Sequence, residues 1–260
     1  MKINAHIPTQ QYGFIELTDL PDDPQSVQEA YNRYAEVPIS LTKGNRKLVE
    51  CFVGGSIYYD DVAHSYTNEA GEVYLSGSVF AHQGEKPFDA QSISAKMATK
   101  SGVPQADILD MWKMGGDISR EFGTTLHKAM ELYGKHRVAS EKLEKEYHLP
   151  NHPVLREAVL SFYALHKEEA EYEPMIVDHD KKHAGQIDRL VIISPPMVSI
   201  AGVCRIEDYK TDGDITKKLE SYWKQLRFYS QIMEADGWKV ESPVIHHWAG
   251  EWKIIKEEKK

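Results

Sequence analysis

Between residues 154 and 255 the apolar spacing switches from helical to strand-like, back to helical, and to strand-like again. A helix is predicted over Val154–Ala170, following Pro153. Three strands are predicted next, at Pro174–Val177, Gly185–Ile193 and Val198–Tyr209, the last two separated by the Ser194-Pro195-Pro196 turn. A second helix covers Ile215–Ala235, with Leu219, Tyr222, Leu226, Tyr229 and Met233 on one stripe, and Val244–Trp248 and Trp252–Ile255 read as closing strands. The order α-β-β-β-α-β limits the fold to an α/β or α+β core, a small mixed sheet flanked by helices.

Upstream the pattern is less regular. The first forty residues read as an appendage: a Leu20-Pro21-Asp22-Asp23-Pro24 turn and a short helix over Gln25–Ala35 that ends before Pro38. Ser56-Ile57-Tyr58-Tyr59 and Ala63-His64-Ser65-Tyr66 are strand-like, Asn68–Gly71 is a turn, and Val73-Tyr74-Leu75 returns, a hairpin or meander. Ile93, Met97 and Ala98 mark a helix from about Ala90, and Pro104 opens another that runs to Met114. Gly115-Gly116 is expected to break it, with Asp117 capping a further helix to about His136. The organisation read from this is an extension of unassigned role over 1–50 and one domain over 51–260, its catalytic core at about 120–250.

Composition excludes several classes. No apolar run approaches the roughly 20 residues that a membrane span needs, so no membrane partner is expected. Met1-Lys2-Ile3-Asn4-Ala5-His6 lacks an apolar signal segment, which points to the cytoplasm. Cys51 and Cys204 are the only cysteines, too few for a disulfide framework, a four-cysteine zinc site or an iron–sulfur cluster. The net charge of −9 argues against a large basic footprint for nucleic acid. Residues 1–40 hold six acids against Lys2 and Arg33, however, which leaves −5 for the other 220 residues. A site that gathers carboxylates around a cation also reverses its own local charge.

The chemistry-bearing residues lie in four segments. Asp188 follows Gly185-Gln186-Ile187, and Asp208 stands about twenty residues on, in Ile206-Glu207-Asp208-Tyr209-Lys210-Thr211. On adjacent antiparallel strands the two carboxylates can meet, where they repel unless a hard cation such as Mg²⁺ or Mn²⁺ joins them. Lys210 is two residues after Asp208 and so shares its face, whereas Glu207 points to the other and is not expected to be a ligand. His127 and Glu131 are four apart on one helix, as are Gln225 and Tyr229 on a later one.

In that order and spacing, Gly123-x-x-x-His127-x-x-x-Glu131, Gly185-Gln186-Ile187-Asp188-Arg189-Leu190, Asp208-Tyr209-Lys210-Thr211 and Gln225-x-x-x-Tyr229 resemble the RecB-like branch of the PD-(D/E)XK nucleases. The match covers about residues 120–235, and the hairpin with His64, Tyr66 and Gly71 is similar, more weakly, to the lead-in of phage and mitochondrial single-strand exonucleases of that group. The resemblance implies a restriction-endonuclease-like core and hydrolysis of DNA with Mg²⁺ or Mn²⁺. It implies that His127, Asp188, Asp208 and the Tyr209 carbonyl hold the metal, that Lys210 is catalytic beside the attacking water, and that Gln225, Tyr229 and Thr211 contact substrate. Glu131 is a candidate for supporting the ligands. DNA ends are the implied substrate, in recombination, repair or phage DNA processing, with a recombination or replication protein as partner. A structure-selective endonuclease or a nuclease-fold binding module is the alternative.

Other acids and bases read as ordinary surface. Asp178-His179-Asp180 with His183 looks like a metal cluster on paper, but strand alternation scatters it over two faces. Lys181-Lys182 and Lys217-Lys218 are solvated charges by default. Glu173 is not counted as a ligand; orienting one is the role open to it.

Overall fold

The computed structural model describes residues 2–9, 13–21, 46–142 and 149–257. It is a mixed α/β structure, and the helix expected over Gln25–Ala35 lies outside the described residues. The chain groups into two compact units, Met1–Ser76 with Val177–Gly185, and Gly77–Ile176 with Gln186–Lys260.

The first unit is made of short strands. Strands β1 (Lys2–Thr9) and β2 (Gly13–Pro21) form an antiparallel hairpin in a region read from the sequence as an appendage without strands. Strands β3 (Lys47–Glu50), β4 (Ser56–Asp60) and β5 (Ser65–Thr67) make an antiparallel sheet. Strand β6 (Leu75–Ser76) pairs with β9 (His183–Gln186), which lies between it and β8 (Met175–Asp178). Asp178 ends β8 and His179-Asp180 lies in the turn to β9, so the stretch is a polar strand end and turn. The Asp178 carboxylate accepts from the Lys181 amide at 3.0 Å, and His179 Nδ1 lies 2.8 Å from the Tyr74 hydroxyl.

The second unit holds a six-stranded sheet of order β14-β13-β11-β10-β7, with β12 also paired to β11. These strands are β7 (Ala170–Tyr172), β10 (Arg189–Ser194), β11 (Val203–Lys210), β12 (Lys239–Val240), β13 (Val244–Trp248) and β14 (Trp252–Lys256). β10 and β11 are antiparallel, with Arg189 opposite Glu207. β11 and β13 are parallel, and parallel neighbours need a long crossover. Helix α5 (Leu219–Ala235), after a 3₁₀ turn at Ile215–Lys217, supplies it. The other helices are α1 (Gly77–Ala81), α2 (Ala90–Ser101), α3 (Gln105–Lys142) and α4 (Pro153–Leu165). Leu126, Met130, Val159, Phe162, Tyr163, Tyr209 and Trp248 form the core between α3, α4 and the sheet. Among the described residues no helix is long and apolar enough to cross a membrane.

Three expectations fail for identifiable reasons. Gly115-Gly116 does not end a helix: α3 runs through it for 38 residues. Two interior glycines cost about 1 kcal/mol each, which the good helix formers around them absorb. Asp117 pairs with Arg120 at 3.0 Å instead of capping. The helix expected to reach Ala170 stops at Leu165, and Ala170–Tyr172 pairs with β10 instead. The strand expected over Gly185–Ile193 is interrupted at Ile187-Asp188, between β9 and β10.

On β11 the alternation of side chains separates two systems. Arg205, Glu207 and Tyr209 face α4, while Asp208 and Lys210 face the other way. Glu207 is buried among cations: it pairs with Arg189 Nη1, accepts from Arg205 Nε at 2.7 Å, and lies 3.1 Å from His246 Nε2. Burial raises a carboxyl, but His246, Arg189 and Arg205 outweigh it and hold Glu207 well below the usual range. Removing one partner of a buried pair strands the other charge. Glu207→Ala should therefore destabilise the fold by roughly 3–5 kcal/mol in urea unfolding, against the neutrality expected of a mere non-ligand. A loss below about 1 kcal/mol, within the range of exposed ion pairs, would show that Arg189 finds another partner.

Candidate metal centre

The site forms where the α3 helix crosses the ends of β10 and β11. Gly123, four residues before His127, makes the crossing close: a Cβ added there would come within 3.2 Å of the Thr211 hydroxyl. One turn later His127 stands over the end of β11, its Nε2–H donating to the Tyr209 carbonyl at 2.9 Å. Its Nδ1 is 3.3 Å from Asp188 Oδ2. Asp188 sits at the interruption before β10, and the same carboxylate oxygen accepts from the Tyr209 amide at 2.8 Å. Sequence spacing brought Asp188 and Asp208 to one sheet end, and the antiparallel register realises that meeting.

Glu173 is the residue that sequence reasoning undervalued. One ligand atom from each of His127, Glu173 and Asp188 lies within 4.8 Å of the other two. Its backbone is left-handed, with φ of 54°, a conformation that costs a residue with a Cβ about 1–2 kcal/mol. Two hydrogen bonds hold it there: the Glu173 amide donates to the Asp188 carbonyl at 3.1 Å, and Gln186 Nε2 donates to the Glu173 carbonyl at 3.3 Å. A usable signal was the strand pairing of Tyr172 with Arg189, which puts the next residue beside Asp188. The left-handed turn itself has no signature in a Tyr-Glu-Pro sequence.

Asp208 stands outside that trio and is paired with Lys210. The Lys210 ammonium donates to Asp208 Oδ1 at 2.8 Å and is 2.6 Å from Oδ2, with both side chains largely buried. Glu131 is also outside, accepting from Lys128 at 2.7 Å and Lys135 at 2.8 Å, its i−3 and i+4 neighbours. Gln225 Nε2 donates to the Tyr229 hydroxyl at 2.8 Å, so the two act as one group. Tyr229 is buried and packs on Gly77, where even a Cβ would meet its ring at 2.3 Å. Thr211 is half-buried beside Gly123.

The electrostatics follow from crowding. Burial and Asp188 push the Glu173 carboxyl up to about 8. Burial and Asp188 also raise Asp208 to about 6, although Lys210 opposes this. Burial disfavours an imidazolium at His127, but Asp188 and then Asp208 outweigh it and bring the group up to about 9. Asp188 goes the other way: His127 and Lys210 overcome its burial and keep it ionised. Burial likewise opposes the Lys210 ammonium, and Asp208 and Asp188 more than restore it. The donor set, carboxylates with one imidazole and a main-chain carbonyl nearby, fits a hard divalent cation such as Mg²⁺ or Mn²⁺. No family model, curated protein or solved structure matches this chain.

A cation held here would compete with the protons on Glu173 and His127, so its affinity would be tied to their release. Mn²⁺ affinity should rise from pH 6 through pH 9, and titration calorimetry in buffers of different ionisation enthalpy should register protons leaving. Glu173→Gln should weaken Mn²⁺ binding about tenfold or more, in the range seen when metal-site carboxylates lose their support. It should also flatten the rise near pH 8. An affinity that is constant from pH 6 to 9 would mean that the cation does not use these groups.

Proposed function

We propose that this protein is a Mg²⁺- or Mn²⁺-dependent deoxyribonuclease, most simply an exonuclease, built on a restriction-endonuclease-like core. The observation that carries the reading is the convergence at one sheet end of His127, Glu173 and Asp188, within 4.8 Å of one another, with the Asp208–Lys210 ion pair. These residues come from four separate segments, and gathering so many acids into a buried place is costly unless a cation is to be held there. The layout supports the same reading: a long helix, antiparallel β10 and β11, the α5 crossover and parallel β13.

In this reading Asp188, Glu173 and His127 would hold the cation, with the Asp208 carboxylate available to it in place of its contact with Lys210. The cation supplies Lewis acidity and charge neutralisation to a phosphodiester. Lys210 keeps an ammonium at the position where negative charge grows on the phosphate, and it can orient the water that attacks. In the same reading the Gln225–Tyr229 pair and Thr211 contact the nucleotide. Glu131, clamped by two lysines, acts only through the field it adds near Glu173. DNA ends in recombination, repair or phage DNA processing are the substrates this chemistry suits, with a recombination or replication protein as partner in the cytoplasm.

Digestion of end-labelled single- and double-stranded oligonucleotides, beside a nicked-plasmid assay, tests the reading. Mg²⁺ or Mn²⁺ should support stepwise loss from an end, Ca²⁺ should bind without supporting it, and EDTA should abolish it. Asp208→Ala should remove cleavage. Lys210→Ala should lower the rate by roughly 10²-fold or more, with Lys210→Arg rescuing little. Cleavage at the parent rate by Lys210→Ala, or full activity after exhaustive EDTA, would end the nuclease reading.

A further inference from the structure

Lys210 holds the oxygens that a cation at this centre would use. The ammonium contacts both oxygens of Asp208, at 2.8 and 2.6 Å. A divalent cation taken up by that carboxylate displaces those contacts and repels the ammonium. A lysine freed in this way has four flexible methylenes and a strongly hydrated head, and it would swing into water. Something must keep it near the phosphate.

Tyr222 of α5 is placed for this. The Lys210 Nζ lies over the Tyr222 ring, 4.7 Å from its centroid, within the range of a cation–π contact. The ring is itself held at its edge, because the Tyr222 hydroxyl donates to Asp212 Oδ2. Asp212 is fixed in turn: Oδ1 accepts from Lys218 Nζ at 2.6 Å, and its main-chain carbonyl accepts from His247 Nε2–H at 2.6 Å. A phenol donating to a carboxylate is more electron-rich, and the Asp212 charge lies on the side toward which Lys210 would move. Asp212 already adds to the field that keeps Lys210 charged. The ring contact needs none of the Asp208 oxygens, so it survives when a cation takes them.

We propose that Tyr222, braced by Asp212, is a positioning residue: its ring keeps the Lys210 ammonium at the metal centre once Asp208 turns to the cation. The inference rests on the nuclease reading for the use of that ammonium, but the geometry can be tested without cleavage.

Two measurements on the full chain decide it. In protein carrying ¹³C-labelled lysine, the Lys210 methylene protons next to the ammonium, assigned by their loss in Lys210→Arg, should be shifted upfield by the Tyr222 ring. That shift should persist when Ca²⁺ is added and should vanish in Tyr222→Leu. In single-turnover cleavage with Mg²⁺, Tyr222→Leu should lower the maximal rate about tenfold with half-saturating DNA changed less than twofold. Tyr222→Phe, which keeps the ring and loses the Asp212 bond, should retain at least a third of the rate. Collapse of the ring shift on adding Ca²⁺, or equal maximal rates for Tyr222→Leu and the parent, overturns the proposal while leaving a cutting enzyme intact. A parent chain that neither responds to Ca²⁺ nor cuts DNA fails the nuclease reading, and this inference falls with it.

Discussion

Asp188, Asp208 and Glu173 are brought together at the edge of a packed sheet, where water cannot spread their charge. Much else in the second unit answers to that crowding. His127 lies against Asp188, Lys210 lies against Asp208, and Glu173 is pushed toward its neutral form. The close crossing of α3 at Gly123 and the left-handed backbone of Glu173 are the means of delivering groups to so small a place. A group of acids that only stabilised a fold would not need them; apolar residues of similar volume would be at least as favourable. On the proposed reading the arrangement is a holder of positive charge, in which protons and an ammonium would give way to a metal.

One strand carries two electrostatic systems without mixing them. Glu207 and Asp208 are neighbours in sequence, yet the first is closed into a permanent network with Arg189, Arg205 and His246, while the second faces a single, replaceable lysine. Aromatic rings complete the separation. Phe162 packs edge-on against both Tyr209 and His246, and Tyr222 lies beneath Lys210 on the other side of the strand.

Much of this was legible in the sequence, and unevenly. The period changes gave the helices and strands of the sheet because each buries a regular face. The i,i+2 and i,i+4 spacings of Asp208 with Lys210 and of Gln225 with Tyr229 survive intact, since they depend only on local geometry. What could not be read depended on context or on backbone choice. Gly115-Gly116 lies inside α3 because its neighbours outweigh it, and propensity alone does not tell a tolerated glycine from a terminus. Ala170–Tyr172 became a strand because β10 was there to pair with it. Glu173 was undervalued because its approach to Asp188 comes from a positive φ that glutamate rarely adopts. The burial of Glu207 was hidden because alternation says which face a residue takes but not what waits there.

The side-by-side acids of β11 also set how the chain can vary in length. The Ser194–Gly202 segment between β10 and β11 includes exposed residues such as Met197 and Val198, and added residues there would be absorbed as a longer loop. A single residue gained or lost within Val203–Lys210 would instead turn every following side chain to the opposite face. A residue lost ahead of Glu207 would put Asp208 in the place of Glu207 among the arginines and Glu207 in the place of Ile206, opposite Leu190. Lys210 would be carried into the place of Tyr209, against the rings around Phe162. Added length is therefore tolerated in the loop but not in β11, which behaves as a fixed reading frame for the site.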